Sequence, residues 1–151
     1  MAAKKVTSKK AASKKAASKT SKAKKSPAKK STTSKAAAPV GPYTPVVRAG
    51  DWVIVSGQLG LKDGVMAKGV AAQTAQAVVN LKARLAEAGV TINDVKKTLC
   101  FLTDMDTFAT FNEAYVAGFG KSRPARSTIG VASLPAGGQV EIEAWAYKPL
   151  R

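Results

Sequence analysis

The sequence predicts an α+β fold in which two helices pack on one face of a mixed β-sheet. Two segments have the periodicity of amphipathic helices, and each lies between segments that are typical of strands. Strand pairs at both ends of this region have the composition of antiparallel hairpins. The predicted element order is therefore β-β-α-β-α-β-β, which is typical of an α+β sandwich.

The first two strands are predicted over 46–48 and 52–56, joined by a tight turn at 49–51 that contains glycine and aspartate. Every residue of 52–55 is apolar, which indicates a central strand. Gly57 comes directly after this strand. Its missing side chain lets another backbone or a ligand approach closely.

Apolar residues recur every three or four positions over 71–88, which predicts an amphipathic helix that ends at Gly89. Asn93 or Asp94 is expected to cap a short turn before the next strand, at 97–102. Cys100 lies within that strand and is expected to be a small buried hydrophobic residue.

A second helix is predicted over 107–118, with Asp106 as its N-cap. Phe108, Phe111 and Tyr115 have helical spacing and are expected to lie in the core.

A second hairpin is predicted to close the fold, with strands at 126–133 and 139–147 and a turn at 134–138. Residues of the last strand alternate, so that apolar side chains occupy one face. The opposite face carries Trp145 and other partly apolar groups, and in a small domain such a face tends to meet another subunit. Arg126 and Glu141 stand out on the hairpin, either as a surface salt bridge or with the arginine as a clamp for a ligand carboxylate.

Charge divides the chain into two parts. Residues 1–38 hold 13 lysines and no acidic residue, whereas residues 39–151 hold 12 basic and 9 acidic residues. The first part is built mainly from Lys, Ala, Ser and Thr, and we expect it to be disordered because it has too few apolar residues to bury. The predicted domains are therefore a basic tail, 1–38, and a globular domain, 39–151.

The tail composition is similar to that of linker-histone tails, which favours non-specific contact with DNA or RNA through displaced counterions. A solubilising extension is the alternative. The lysines expected to contact nucleic acid are Lys9, Lys10, Lys14, Lys15, Lys24, Lys25, Lys29 and Lys30.

The chain has one cysteine and no histidine, which excludes an internal disulfide and disfavours a metal site. It has no apolar run long enough for a transmembrane helix, so no membrane partner is expected. These features predict a soluble, cytoplasmic protein, with nucleoid association as a further option if the tail binds DNA.

Seven motifs, in order along residues 39–150, resemble those of the Rid family of YjgF-type proteins and match its RidA-like deaminase branch best. They are Gly41-Pro42-Tyr43, 55–58 (VSGQ), Gln73-Thr74, 101–104 (FLTD), 111–115 (FNEAY), 124–127 (PARS) and 140–144 (VEIEA). Each motif alone is a weak signal, but seven in this order are highly specific.

The resemblance implies a chorismate-mutase-like α+β fold, assembled as a homotrimer with clefts between subunits. The implied activity is hydrolysis of reactive enamines and imines, such as 2-aminoacrylate, 2-iminopropanoate and 2-iminobutanoate, to 2-oxo acids and ammonia. It implies no cofactor and no metal.

Two catalytic residues follow from the resemblance. Arg126 matches the arginine that holds the substrate carboxylate, and Glu141 matches the acidic residue that orients the attacking water. Glu143 lies on the same predicted strand face, so a shared role for it stays open.

Four residues are implied in substrate binding. Tyr43 matches a tyrosine that lines the cleft, Asn112 a pocket asparagine, and Gly57 a residue whose backbone approaches the ligand. Thr128 occupies a position at which many deaminases have a cysteine. A role for the backbone N–H is compatible with this change, whereas a role for a thiol is not. Two alternatives to substrate binding stay open: Tyr43 packs at an interface, and Asn112 caps a loop.

Two alternatives to a deaminase remain. In the first, the domain is a scaffold that clusters basic tails, and multivalency increases their affinity for nucleic acid. In the second, the domain is a ribonuclease. The second is the weaker, because the chain has no histidine for acid–base cleavage of RNA.

Overall fold

The structure, a computed structural model, describes Pro39 and residues 41–150. The predictions made for the basic tail, 1–38, lie outside the described residues.

Five strands form the main sheet. In spatial order they are β1 (Val46–Ala49), β2 (Trp52–Leu59), β7 (Val140–Tyr147), β5 (Val95–Leu102) and β6 (Ala125–Gly130). All neighbours are antiparallel except β5 and β6, which are parallel. The predicted mixed sheet is confirmed. A small hairpin of β3 (Leu61–Lys62) and β4 (Val65–Met66) follows β2 and was not predicted.

Two helices, α1 (Gly69–Glu87) and α2 (Phe108–Phe119), complete the fold. They pack against each other, and α1 also packs on β2 and β7. The core lies between this helical layer and the sheet. The predicted stop at Gly89 is confirmed, because this glycine follows α1 with a φ of +71° that favours a residue without a side chain.

The predicted alternation of the last strand is confirmed. Its core face consists of Val140, Ile142, Ala144 and Ala146, all with 0% exposure. Cys100 is also completely buried, as expected.

The predicted closing hairpin is wrong. β6 pairs with β5, so that Arg126 lies opposite Thr98, and β7 lies between β2 and β5. The α2 crossover between β5 and β6 makes these two strands parallel. The connection at 131–139 then carries the chain to the middle of the sheet, where β7 buries its apolar face.

The apolar stripe predicted for the first helix is partly wrong. Ala71 and Ala75 are exposed, whereas Val70 and Thr74 are buried. Alanine carries little information on orientation because burying its methyl group yields little free energy.

One of the two capping predictions also needs correction. Asp104, not Asp106, is the capping residue: its Oδ1 accepts a 2.9 Å hydrogen bond from the Asp106 N–H in a 3₁₀ turn before α2. For the turn before β5, the prediction for Asp94 is confirmed: its carboxylate accepts hydrogen bonds from the Thr91 N–H at 2.7 Å and from the Thr91 Oγ1 at 2.9 Å, in a capping box with Thr91 as the N-cap residue.

Candidate active site

Arg126 lies on the edge strand β6, below α2. Its Nη2 donates a 2.8 Å hydrogen bond to Oδ1 of Asn112, which lies in the second turn of α2. The side chain is half-buried. The structure thus brings together two of the residues proposed from the sequence.

Three aromatic rings of α2 surround the same guanidinium. The Arg126 Cζ lies 4.6 Å from the ring centre of Tyr115 and 5.5 Å from those of Phe108 and Phe111. Such contacts attract a cation and hold the planar group in one orientation. Phe111 and Tyr115 are core residues as predicted, but Phe108 is 37% exposed, because it lies at the rim of this aromatic site.

The salt-bridge interpretation of Arg126 and Glu141 is wrong. Within Pro39 and 41–150, the ion pairs are Arg84–Glu87 and Lys148–Asp94. Arg126 therefore has a fixed guanidinium without a carboxylate partner in the described part of the chain.

A cavity of about 390 Å³ lies beside β2 and is lined by three of the other proposed residues. Tyr43, Gly57 and Glu141 line it, together with Asn80 and Arg84 of α1. Tyr43 is 47% exposed. The site is therefore open to solvent on the tyrosine side.

Glu141 lies directly over Gly57. A Cβ atom on Gly57 would overlap the Glu141 carboxyl group and lie 2.8 Å from its Cγ. The close approach expected at Gly57 exists, and the group that makes it is a side chain of the same protein.

The acidity of Glu141 is altered by its surroundings. Burial, and then the negative charge of Glu143, raise the pKa of the Glu141 carboxyl above its ordinary value. Burial also raises the pKa of Glu143. Both side chains point to the same face of β7, as the alternation predicted, and a raised pKa makes a carboxylate a better proton acceptor.

The proposed residues form two separate groups in one chain. Tyr43, Gly57 and Glu141 lie in the cavity, whereas Arg126 and Asn112 lie outside the set of described residues that line it.

Thr128 occupies the same face of β6 as Arg126, opposite Cys100 of β5. Its Oγ1 is buried without a hydrogen-bond partner among the described residues. Burial raises the pKa of the Cys100 thiol to about 11. The Cys100 thiol beside Thr128 is therefore shielded from solvent, and no contact among the described residues assigns a role to the Thr128 hydroxyl.

Gln58 belongs to this region and was not singled out from the sequence. It is buried, and its side-chain amide donates to the Ser56 carbonyl at 3.0 Å and to the Gly57 carbonyl at 3.3 Å. The only sequence signal was its place after Ser56-Gly57.

The described residues contain no group of His, Cys, Asp and Glu side chains arranged to hold a metal ion. None of their helices has the length and hydrophobicity needed to cross a membrane.

Comparison with known proteins identifies the family. The model of the Ribonuc_L-PSP family, described as endoribonuclease L-PSP, matches residues 33–148. The chain belongs to this family, which includes the YjgF and RidA proteins. The family predicted from the seven motifs is confirmed.

Individual relatives agree with this assignment. A RutC family protein of Pyrococcus horikoshii is 43% identical over 116 residues, which cover 75% of this chain and 92% of that protein. The 2-iminobutanoate/2-iminopropanoate deaminase of mouse is 42% identical over 118 residues, covering 76% and 87%. The crystal structure of RidA from an Antarctic Psychrobacter species has a TM-score of 0.72 and 43% identity, covering 75% and 94%.

Proposed function

We propose that this Rid family protein hydrolyses small reactive 2-imino acids, such as 2-iminopropanoate and 2-iminobutanoate, to 2-oxo acids and ammonia. Similarity to deaminases such as the mouse protein supports this class of reaction. The observation that carries the proposal is the Arg126 guanidinium, which Asn112 and three rings hold in place. Such a group fits the carboxylate common to all these substrates.

The reaction needs only modest catalysis, because imines already hydrolyse in water. Water adds to the imine carbon and one of its protons passes to the nitrogen, which gives a carbinolamine. The hydroxyl proton then moves to the nitrogen as the C=O bond forms and the C–N bond breaks, releasing ammonia. Glu141 has the chemistry to accept the proton of the attacking water and return it to the departing amine. Burial and the charge of Glu143 raise the pKa of Glu141 above the ordinary carboxyl value, which strengthens it as a proton acceptor.

A complete site requires both groups of residues around one substrate. We propose that a neighbouring copy supplies the second group, in a homotrimer with clefts between subunits. The sheet face opposite the helices supports an assembly, because Trp52 and Ile54 of β2 and Ile129 of β6 are exposed there by 43%, 39% and 45%. In this arrangement Arg126 and Asn112 of one copy face Tyr43, Gly57 and Glu141 of the next, with the Thr128 backbone N–H near the carboxylate.

A coupled assay tests the activity. A serine or threonine dehydratase generates the imine, and semicarbazide traps whatever this protein does not hydrolyse. We expect the protein to compete with the trap and Arg126→Ala to lose at least about 100-fold in kcat/KM, since a charge-assisted bidentate pair is broken.

Arg123→Ala is the matched control. Arg123 is exposed and donates to the carbonyls of Gly120 and Ser122 in its own loop. Its loss is expected to leave activity within about twofold, the range of a surface substitution. Failure of the unaltered protein to compete with semicarbazide, or full activity in Arg126→Ala, would contradict the proposal.

The tail carries a second proposal, supported by charge alone. It contributes +13 of the formal net charge of +16. We expect duplex DNA to bind the full chain with a steep salt dependence. Equal binding after the eight tail lysines named above are changed to glutamine would exclude this role.

A further inference from the structure

The extra residue in β2 is the starting point. Val55 pairs with Ala144 and Gln58 pairs with Ile142, so Ser56 and Gly57 together lie opposite the single residue Glu143. This arrangement is a β-bulge, a feature that redirects side chains and is frequent next to active sites. Here it brings the backbone of Gly57 under the carboxyl group of Glu141.

The bulge leaves carbonyl groups that the regular ladder cannot pair, and Gln58 compensates for this. Its Nε2 reaches the carbonyl oxygens of Ser56 and Gly57 at 3.0 and 3.3 Å, and the Ser56 N–H donates to the Pro45 carbonyl at 3.0 Å. A buried amide that satisfies two carbonyls holds this irregular backbone in one shape.

We propose that the Ser56–Gly57 bulge is a preformed seat for the Glu141 carboxylate, with Gly57 and Gln58 as positioning residues that act through Glu141. This inference rests on the proposed function. Gly57 provides the space, because any side chain there would occupy the position of the carboxylate. Gln58 keeps the bulge in the shape that the carboxylate contacts.

The surroundings of Glu141 show why its position needs support. Across β7 its neighbours are Leu59 of β2 and Phe101 of β5, neither of which offers a charged partner. The titratable groups near it are Glu143 on its own strand, and Tyr43 and Arg84 in the cavity. No hydrogen bond to the Glu141 carboxylate is seen in the described residues, so steric fit to the bulge is what fixes it.

Two variants test the seat in the full-length protein. Gly57→Ala displaces the carboxylate, and because the group that must move is the end of a flexible side chain, the fold is expected to persist. We expect kcat to fall by about 100-fold with KM within about threefold, because the chemical step is misaligned while the Arg126 clamp is untouched. Gln58→Leu should lower kcat by about tenfold through the same loss of alignment.

Gly130→Ala is the matched control. A Cβ there would also crowd a flexible side chain, at 3.0 Å from Met105 Cγ, but Gly130 lies on β6, which β5 and β7 separate from β2 and its bulge. Its kcat is expected to equal that of the unaltered protein.

A readout that does not need activity separates this inference from the proposed function. Carboxyl carbons of ¹³C-labelled glutamate are titrated by NMR, and Glu141 is assigned by its absence in Glu141→Gln. The pKa of Glu141 should fall towards the ordinary value in Gly57→Ala and Gln58→Leu, because the carboxylate leaves its buried position, and stay unchanged in Gly130→Ala.

The outcomes are distinct. An unchanged Glu141 titration in both variants overturns the seat, and so does full kcat in Gly57→Ala. A protein without deaminase activity whose Glu141 titration still shifts in Gly57→Ala contradicts the proposed function and supports the seat.

Discussion

Asn112 Oδ1 on α2 accepts a 2.8 Å hydrogen bond from Nη2 of Arg126 on the edge strand β6. This bond joins the helical layer to the outermost strand of the sheet. It also uses one edge of the guanidinium, which leaves the rest of the group free to bind a ligand carboxylate in a fixed orientation.

Replacing Asn112 should therefore weaken substrate binding. We expect Asn112→Leu to raise KM about tenfold or more, because a hydrogen bond to a charged group contributes about 1.5–3 kcal/mol. The coupled assay measures this, with kcat largely unchanged. Asn112→Gln keeps a neutral carbonyl acceptor and serves as control for the contact itself. A normal KM in Asn112→Leu would show that the aromatic rings alone orient Arg126.

Thr128 and Thr98 are predicted to respond oppositely to the same substitution. The Thr128 hydroxyl is buried without a partner among the described residues, whereas the Thr98 hydroxyl lies 2.8 Å from the Tyr115 hydroxyl. Thr128→Val should raise the free energy of unfolding by about 1 kcal/mol, and Thr98→Val should lower it by about 1–3 kcal/mol. Urea unfolding of both variants provides the comparison. Destabilisation by Thr128→Val would reveal a partner for its hydroxyl.

The acidic pair on β7 should make stability decrease as pH rises above the ordinary carboxyl range. Because the folded protein raises the pKa of Glu141 and Glu143, it binds protons more tightly than the unfolded chain. Between the ordinary glutamate pKa of 4.5 and the raised values, stability is therefore lost with increasing pH. Unfolding free energies measured across this window should show a smaller decrease in Glu143→Gln. An identical pH dependence in that variant would argue against the pair.

Cys100 should be inert in the folded protein. It is completely buried and its pKa is raised to about 11, so almost no reactive thiolate exists at pH 8. We expect a disulfide reagent such as Ellman's to react with one thiol in guanidinium chloride and with essentially none in buffer. Rapid reaction in buffer would indicate that β5 opens locally.

Elements of the fold could be predicted where the pattern of apolar residues directly indicates which side chains are buried. Val140, Ile142, Ala144 and Ala146 alternate strictly with the residues of the other face of β7, so its buried face followed from the sequence. The order of the strands in the sheet could not be predicted in this way. The turn signals at 134–138 indicate a bend in the chain, but they do not indicate which strands pair with each other. Ala136 has a φ of 54° inside a 3₁₀ turn, and this bend belongs to a long connection.

The candidate site was predictable to a similar degree. The structure pairs Arg126 with Asn112 and Glu141 with Gly57, although no spacing in the sequence indicates these contacts. Gln58 escaped notice because its role depends on a register shift between Val55 and Gln58. Such a shift is decided by long-range pairing with β7, which the sequence does not reveal locally.

The central place of β7 has a consequence for how the polypeptide is made. Without this strand the sheet is two unconnected pairs, β1 with β2 and β5 with β6. While residues 140–147 are still inside the ribosome, the nascent chain therefore cannot form a continuous sheet. The domain is expected to acquire its cooperative stability only after residues 140–147 have emerged, and a stop codon before β7 would leave an aggregation-prone product with two exposed strand edges.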